Sequence, residues 1–169
     1  LKVIDLTTGA VTDVARAWDR SAASIAWSRD GKSLLVTADD IGKHRLFRIA
    51  IKTNSVTALS KDGHIDAFAE TPTGFVFQKS GLHGPAQLYA AAPKTKSIDE
   101  GASVLTLVNT SLKHKIFGVY EQFSFSGWNN EQVYGYVVKP ANYVEGRKYP
   151  VAFLIHGGPQ GSFGEMWSY

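Results

Sequence analysis

The sequence predicts a mixed fold: antiparallel β-propeller blades over residues 1–118, then the first strands of an α/β domain over residues 119–169, both incomplete in this chain. The blades are predicted by a strand–turn–strand pattern that returns every 40 to 45 residues, the period of a four-stranded propeller blade. The second part is predicted by residues 150–155, a run apolar on both faces between a polar loop and a glycine turn. Such a run is the mark of a strand covered by helices on both sides. Composition agrees. With 44% hydrophobic and 20% charged residues the chain can bury a core, and 12% aromatics with 16 glycines favour strands joined by tight turns.

The first hairpin is Val3-Ile4-Asp5-Leu6-Thr7-Thr8-Gly9 running into Ala10-Val11-Thr12-Asp13-Val14. Residues 48–59 repeat it at a shift of 45: Ile4 matches Ile49, Leu6 matches Ile51, Thr8 matches Thr53 and Val11 matches Val56. Gly9 and Asn54, two residues that accept positive φ, hold the same place in the turn. A second echo lies between and beyond these hairpins. Ser24-Ile25-Ala26-Trp27-Ser28 leads through Arg29-Asp30-Gly31-Lys32 into the apolar Ser33-Leu34-Leu35-Val36. Asp66-Ala67-Phe68-Ala69 leads through Thr71-Pro72-Thr73-Gly74 into Phe75-Val76-Phe77, with Gly31 and Gly74 43 apart. Leu46-Phe47 and Leu88-Tyr89 lie 42 apart. A β-sandwich also alternates apolar and polar residues but needs no such period. Two to three blades fit in the chain, fewer than the roughly four that close a ring.

The pattern changes near residue 119. Glu121-Gln122-Phe123-Ser124-Phe125 alternates, Ser126-Gly127-Trp128-Asn129-Asn130 turns, and Val133-Tyr134-Gly135-Tyr136-Val137-Val138 returns as a strand that Lys139-Pro140 stops. After a polar loop and the apolar run stands His156-Gly157-Gly158-Pro159. An HGG-type loop behind an early strand of an α/β-hydrolase presents backbone N–H groups to the oxyanion of a tetrahedral intermediate. Glycines are required there because the backbone itself approaches the substrate, and the proline stiffens the exit from the turn.

Residues 149–161, Tyr-Pro-Val-Ala-Phe-Leu-Ile-His-Gly-Gly-Pro-Gln-Gly, resemble the opening of the catalytic domain of the prolyl oligopeptidase family of serine peptidases. The branch most resembled holds the acylaminoacyl-peptidases and dipeptidyl-peptidase 5. Phe123-Ser124-Phe125, Gly135-Tyr136, Lys139-Pro140 and Trp167-Ser168-Tyr169 are similar to that branch as well, and Ser28-Arg29-Asp30-Gly31 resembles its recurring Ser-Pro-Asp-Gly turn, with Arg29 in place of proline. The resemblance implies an N-terminal propeller, an α/β-hydrolase domain with a Ser-Asp-His triad, peptide substrates and no cofactor. It makes His156, Gly157, Gly158 and Pro159 the oxyanion-hole loop, with the His156 side chain shaping the loop rather than acting as base. The expected activity is release of N-terminal dipeptides. Acylaminoacyl-peptidase activity is the alternative within the family, and a propeller interaction module with an inactive hydrolase remnant is the alternative outside it. Export to the periplasm or secretion is expected, with the cytoplasm as the alternative.

None of the triad is in the sequence. No G-x-S-x-G elbow occurs, and Gly161-Ser162-Phe163-Gly164 fails because Gln160 stands two places before the serine. The triad is therefore expected beyond Tyr169, and the chain alone is expected to be inactive. The start at Leu1 and a single methionine, Met166, lead us to expect a piece of a longer protein. Its open sheet edges would be completed by the remainder of its own chain or by further copies.

Several classes are excluded. With no cysteine, the chain offers no disulfide, thiolate metal site or cysteine nucleophile. The net charge of +3 is spread along the sequence, and the clusters Lys94-Thr95-Lys96 and Lys113-His114-Lys115 are too short to track phosphates, so no nucleic-acid partner is expected. No apolar run nears the roughly 18 residues of a membrane span, and no membrane partner is expected. His44, His64, His83 and His114 lack metal-ligand spacing and read as surface residues, so no metal is expected. Ser162 reads as a cap of a following element, and Tyr134 and Tyr136 as core on one strand face rather than as a pocket lining with Tyr143.

Overall fold

A computed structural model of the chain describes residues 1–93, 97–158 and 161–168. Lys94, Thr95, Lys96, Pro159, Gln160 and Tyr169 lie outside the described residues. The backbone is antiparallel sheet throughout its first two thirds. Strands β1 (Lys2–Ile4) and β2 (Val11–Asp13) form a hairpin. Strands β3 (Ala22–Trp27), β4 (Ser33–Asp40), β5 (Lys43–Ala50) and β6 (Val56–Ala58) form a four-stranded antiparallel meander. A second meander follows in β7 (His64–Thr71), β8 (Gly74–Gly81), β9 (Gly84–Ala91) and β10 (Ser103–Val104). The two meanders join through one parallel bridge, His44 to His64.

The repeat read from the sequence is the repeat of these units. The matched hairpins are β1–β2 and β5–β6, and Gly9 (φ +72°) and Asn54 (φ +56°) both take the positive φ their turns require. Gly31 and Gly74 end the turns that lead into β4 and β8, at φ +68° and +137°. The architecture is that of an incomplete propeller: two whole blades and a hairpin that occupies the position of a third blade's outer strands.

Blade stacking explains the burial. In β4 every residue from Ser33 to Ala38 is buried, with no polar alternation. Leu34 and Val36 join Ile49, Val14 and Ala15 in a cluster against the β1–β2 hairpin, with Val3 and Trp18 packed on it. Leu35, on the opposite face, joins Leu46 and Leu59 with Ile65, Phe75, Phe77 and Ile98 of the second blade. A blade between two neighbours has two apolar faces, so its central strand reads as a continuous apolar run.

Polar ties reinforce this packing. Arg29 stands where the resembled turn has proline, and its N–H, which a proline would lack, donates to Glu70 Oε2 on β7 at 2.7 Å. Glu70 also accepts from Arg48 at 2.9 Å, so the first blade grips the second through one carboxylate. At the end of β4, Asp40 accepts from Arg20 (3.0 and 3.1 Å) and from Arg45 (2.7 Å). Burial by itself would raise the Asp40 carboxyl, but the hydrogen bonds from Arg45 and Arg20 outweigh it and hold the group below its ordinary 3.8. A depressed folded pKa gives stability that is present above the unfolded value and lost as pH falls through the folded one. Asp40→Asn should therefore cost about 1–2 kcal/mol at neutral pH. The gap from wild type should close as pH drops below about 4, as read by urea unfolding at a series of pH values.

The second part departs from expectation. The hairpin is present, as β11 (Tyr120–Ser126) and β12 (Gln132–Val138), paired from Tyr120–Val138 to Ser126–Gln132. Asn129 and Asn130 take positive φ in its turn. Residues 150–155, expected as a buried α/β strand, form no strand. Val151, Phe153, Leu154 and Ile155 are 87, 80, 76 and 78% exposed. Such a strand is ordered by strands at its edges and helices on its faces, and among the described residues none stands beside this one. The expected first strands of an α/β-hydrolase domain are thus not shown: the segment after residue 118 holds the two-stranded hairpin and an exposed, unpaired run.

Candidate functional site

The run of residues 150–155 delivers the chain to His156, whose Nδ1 donates to Gly157 O at 3.0 Å. Its ring stands edge-on to Phe163, 5.8 Å between centroids at 88°. Gly158 has φ +142°, a conformation closed to residues with a Cβ. At Gly157 a Cβ would meet nothing within 4 Å, so its face is open. Three of the four expected loop residues are thus brought together on the surface, and Pro159 lies outside the described residues. The His156 side chain serves the loop backbone and has no acidic partner in reach among the described residues.

Past the loop the chain docks on the first whole blade. The β4–β5 connection is a two-residue turn with Ile41 at φ +50° and Gly42 at φ +76°, the type I′ pattern. Both of its carbonyls are used: Gln122 Nε2 donates to Ile41 O (2.8 Å), and the Glu165 N–H donates to Gly42 O (2.7 Å). The Tyr136 hydroxyl lies between Gly42 O (3.2 Å) and Glu165 Oε1 (3.4 Å), while Glu165 Oε2 accepts from the Gly63 N–H at 2.7 Å. Burial first, and then the Glu165 charge, push the Tyr136 hydroxyl well above its ordinary pKa, so it stays a donor.

Two cavities flank this junction. One of about 490 Å³ lies over the β8–β9 turn, lined among others by Asp62, Lys79, His83, Tyr120 and Glu165. The other, about 380 Å³, is lined by Gln122, Tyr134, Tyr136, Ser162 and Phe163. This corrects two expectations. Tyr134 and Tyr136 line a cavity rather than a closed core, because the hairpin packs on a turn and not on a second sheet. Ser162 lies on that cavity and caps no helix among the described residues.

His44 and His64 are also not the surface residues expected. Their rings stack at 4.6 Å across the bridge between the blades, with Asp39 2.7 Å from His44 Nδ1 and Asp66 3.2 Å from His64 Nε2. The blade register puts them together, and their separation in sequence hides it. Burial lowers the His64 pKa below 6.5. His83 and His114 are exposed, as are Lys113 and Lys115.

Comparison with known proteins decides the lineage. The chain is 33% identical over 172 residues to dipeptidyl-peptidase 5 of Schizosaccharomyces pombe, covering 99% of this chain. It is 35% identical over 164 residues to a probable dipeptidyl-peptidase 5 of Aspergillus clavatus, covering 94% of this chain. An acylaminoacyl peptidase structure from Pyrococcus horikoshii superposes with a TM-score of 0.71 at 26% identity over 94% of the chain. The chain is homologous to peptidases of the prolyl oligopeptidase family. No family model matches it. A second acylaminoacyl peptidase structure, in complex with Z-Gly-Gly-Phe-chloromethyl ketone, shares the fold with a TM-score of 0.74 at 23% identity over 95% of the chain. The chain spans 24% of the S. pombe relative, 22% of the A. clavatus relative and 24% of each of these structures.

The resembled motif points to His156–Gly158 but not to the junction past the loop's downstream end. Glu165, Gln122, Ile41 and Gly42 were missed. The one usable signal was an acidic residue inside the aromatic and glycine segment Phe163-Gly164-Glu165-Met166-Trp167, where a charge needs a buried partner.

Proposed function

We propose that this chain is part of a serine exopeptidase that releases dipeptides from free amino termini, with residues 1–118 as propeller blades and residues 119–169 as the start of the hydrolase domain. The observation that carries the reading is the glycine loop at 156–158, with Gly158 at φ +142°, in a chain of which 99% aligns with 24% of a dipeptidyl-peptidase 5. The triad belongs to the part of the enzyme beyond Tyr169. There a serine attacks the peptide carbonyl, histidine takes its proton and returns it to the leaving amine, and aspartate orients the histidine. One N–H of the 157–158 backbone and one beside the nucleophile bind the oxyanion. The exposed run of residues 151–155 is covered by the remaining hydrolase strands. The propeller limits access to short peptides.

The relatives at 33 and 35% identity are named dipeptidyl-peptidase 5, which favours a free amino terminus. The P. horikoshii match keeps acylaminoacyl-peptidase activity as the second reading. Fluorophosphonate labelling of the full-length protein and of the 169-residue chain, read by intact mass, is the test. A label on the full-length protein alone is expected, with dipeptides released from free but not acetylated peptides. No label on the full-length protein would leave the inactive-remnant reading standing.

A further inference from the structure

We infer that Glu165 is a positioning residue for the proposed oxyanion loop, bolting the chain just past that loop to the Ile41-Gly42 turn and to Gly63 so that the loop is held in register with the propeller. The inference rests on the peptidase reading above.

Glu165 is buried, and every contact it makes crosses to another segment. Oε2 accepts from Gly63, which links the two blades, at 2.7 Å. Oε1 faces the Tyr136 hydroxyl at 3.4 Å and Lys43 Nζ at 4.0 Å, and the Glu165 N–H donates to Gly42 O. The surroundings are shaped for this approach. A Cβ at Gly164 would come within 2.7 Å of Gly42 O, one at Gly42 within 2.6 Å of the Tyr136 hydroxyl, and one at Gly63 within 2.7 Å of Ser80 O. Ile41, β-branched, sits at φ +50°, a conformation that costs free energy and persists only where the surroundings impose it.

A buried carboxylate is a poor stabiliser by itself, since removing it from water offsets what its partners return. Its use here is geometric. Oxyanion donors act only when held to within a few tenths of an ångström, and a loop of glycines does not hold itself. Downstream of the loop the structure supplies a fixed reference of its own: Glu165 is bolted, Gly164 lies against Gly42, and the Phe163 ring meets His156.

The test uses the full-length protein with Glu165→Ala, Glu165→Gln and Tyr136→Phe, assayed on a dipeptidyl p-nitroanilide. Rates are divided by the fraction of serine that fluorophosphonate labels, which removes losses from unfolding. Glu165→Ala should lower kcat per labelled serine by about 10- to 100-fold, with KM within about twofold. Glu165→Gln still accepts from Gly63 and should restore most of the rate, while Tyr136→Phe should give a smaller loss in kcat. If Glu165→Ala does not fold, Tyr136→Phe decides. An unchanged kcat per labelled serine in the folded variants, with only a lower Tm, overturns the inference and leaves the peptidase reading intact. A wild-type protein that neither labels nor cleaves overturns both.

Discussion

Gly158→Ala in the full-length enzyme is expected to lower kcat by on the order of 10²-fold or more, the scale of losing one oxyanion donor. The residue sits at φ +142°, where a Cβ is not tolerated, so alanine must rotate the backbone and, in the proposed mechanism, carry the adjacent N–H groups away from the oxyanion. Only the transition state is affected, so KM should stay within about threefold of wild type. Gly157→Ala separates backbone from substrate effects. Gly157 is not in the positive-φ region and its Cβ would touch nothing, so the loop itself accepts alanine. Any rate lost in Gly157→Ala then reports how closely the substrate passes. Steady-state kinetics on a dipeptidyl p-nitroanilide measures both, and a Gly158→Ala enzyme within threefold of wild type would remove the loop from the mechanism.

The blades were legible because a propeller writes its period into the chain. Gly9 and Asn54 mark equivalent turns, and each takes the positive φ that their residue types favour. The β11–β12 hairpin was legible for the same reason, as local alternation with an Asn-rich turn. What escaped depends on contacts between distant residues. Residues 150–155 carry the composition of a strand, but composition cannot supply the neighbours that make one. The His44–His64 stack follows from blade register, a consequence of how β5 meets β7 at one bridge. The Ile41 turn ran against propensity: an isoleucine at positive φ is the last residue local rules would place there. It is also where the later segment docks, and such conflicts between local preference and global structure mark functional or strained places. Arg29 is the converse case. It departs from the resembled proline turn, and its freed N–H is what ties that turn to Glu70.

Phe77→Ala is expected to cost about 3–5 kcal/mol, the range for emptying an aromatic site in a closed core. The side chain is 1% exposed, in a cluster shared by both blades, and its ring stacks on Tyr89 at 5.5 Å. Phe77→Leu refills much of the volume and should cost about 1–2 kcal/mol. The more telling experiment pairs Phe77→Ala with Leu35→Ala, since Leu35 is the first blade's contribution to the same cluster. If the blades stabilise each other through this layer, the double mutant departs from additivity by about 0.5–2 kcal/mol, because each cavity lets the other relax. Urea unfolding of the four proteins closes the cycle. Strict additivity would mean that each blade carries its own core, with the layer between them merely in contact. The Arg29–Glu70 and Arg48–Glu70 bonds would then have to carry the coupling. Hydrogen bonds of this kind contribute about 1 kcal/mol each, too little to hold two blades in one register, so the apolar layer is where the coupling should be found.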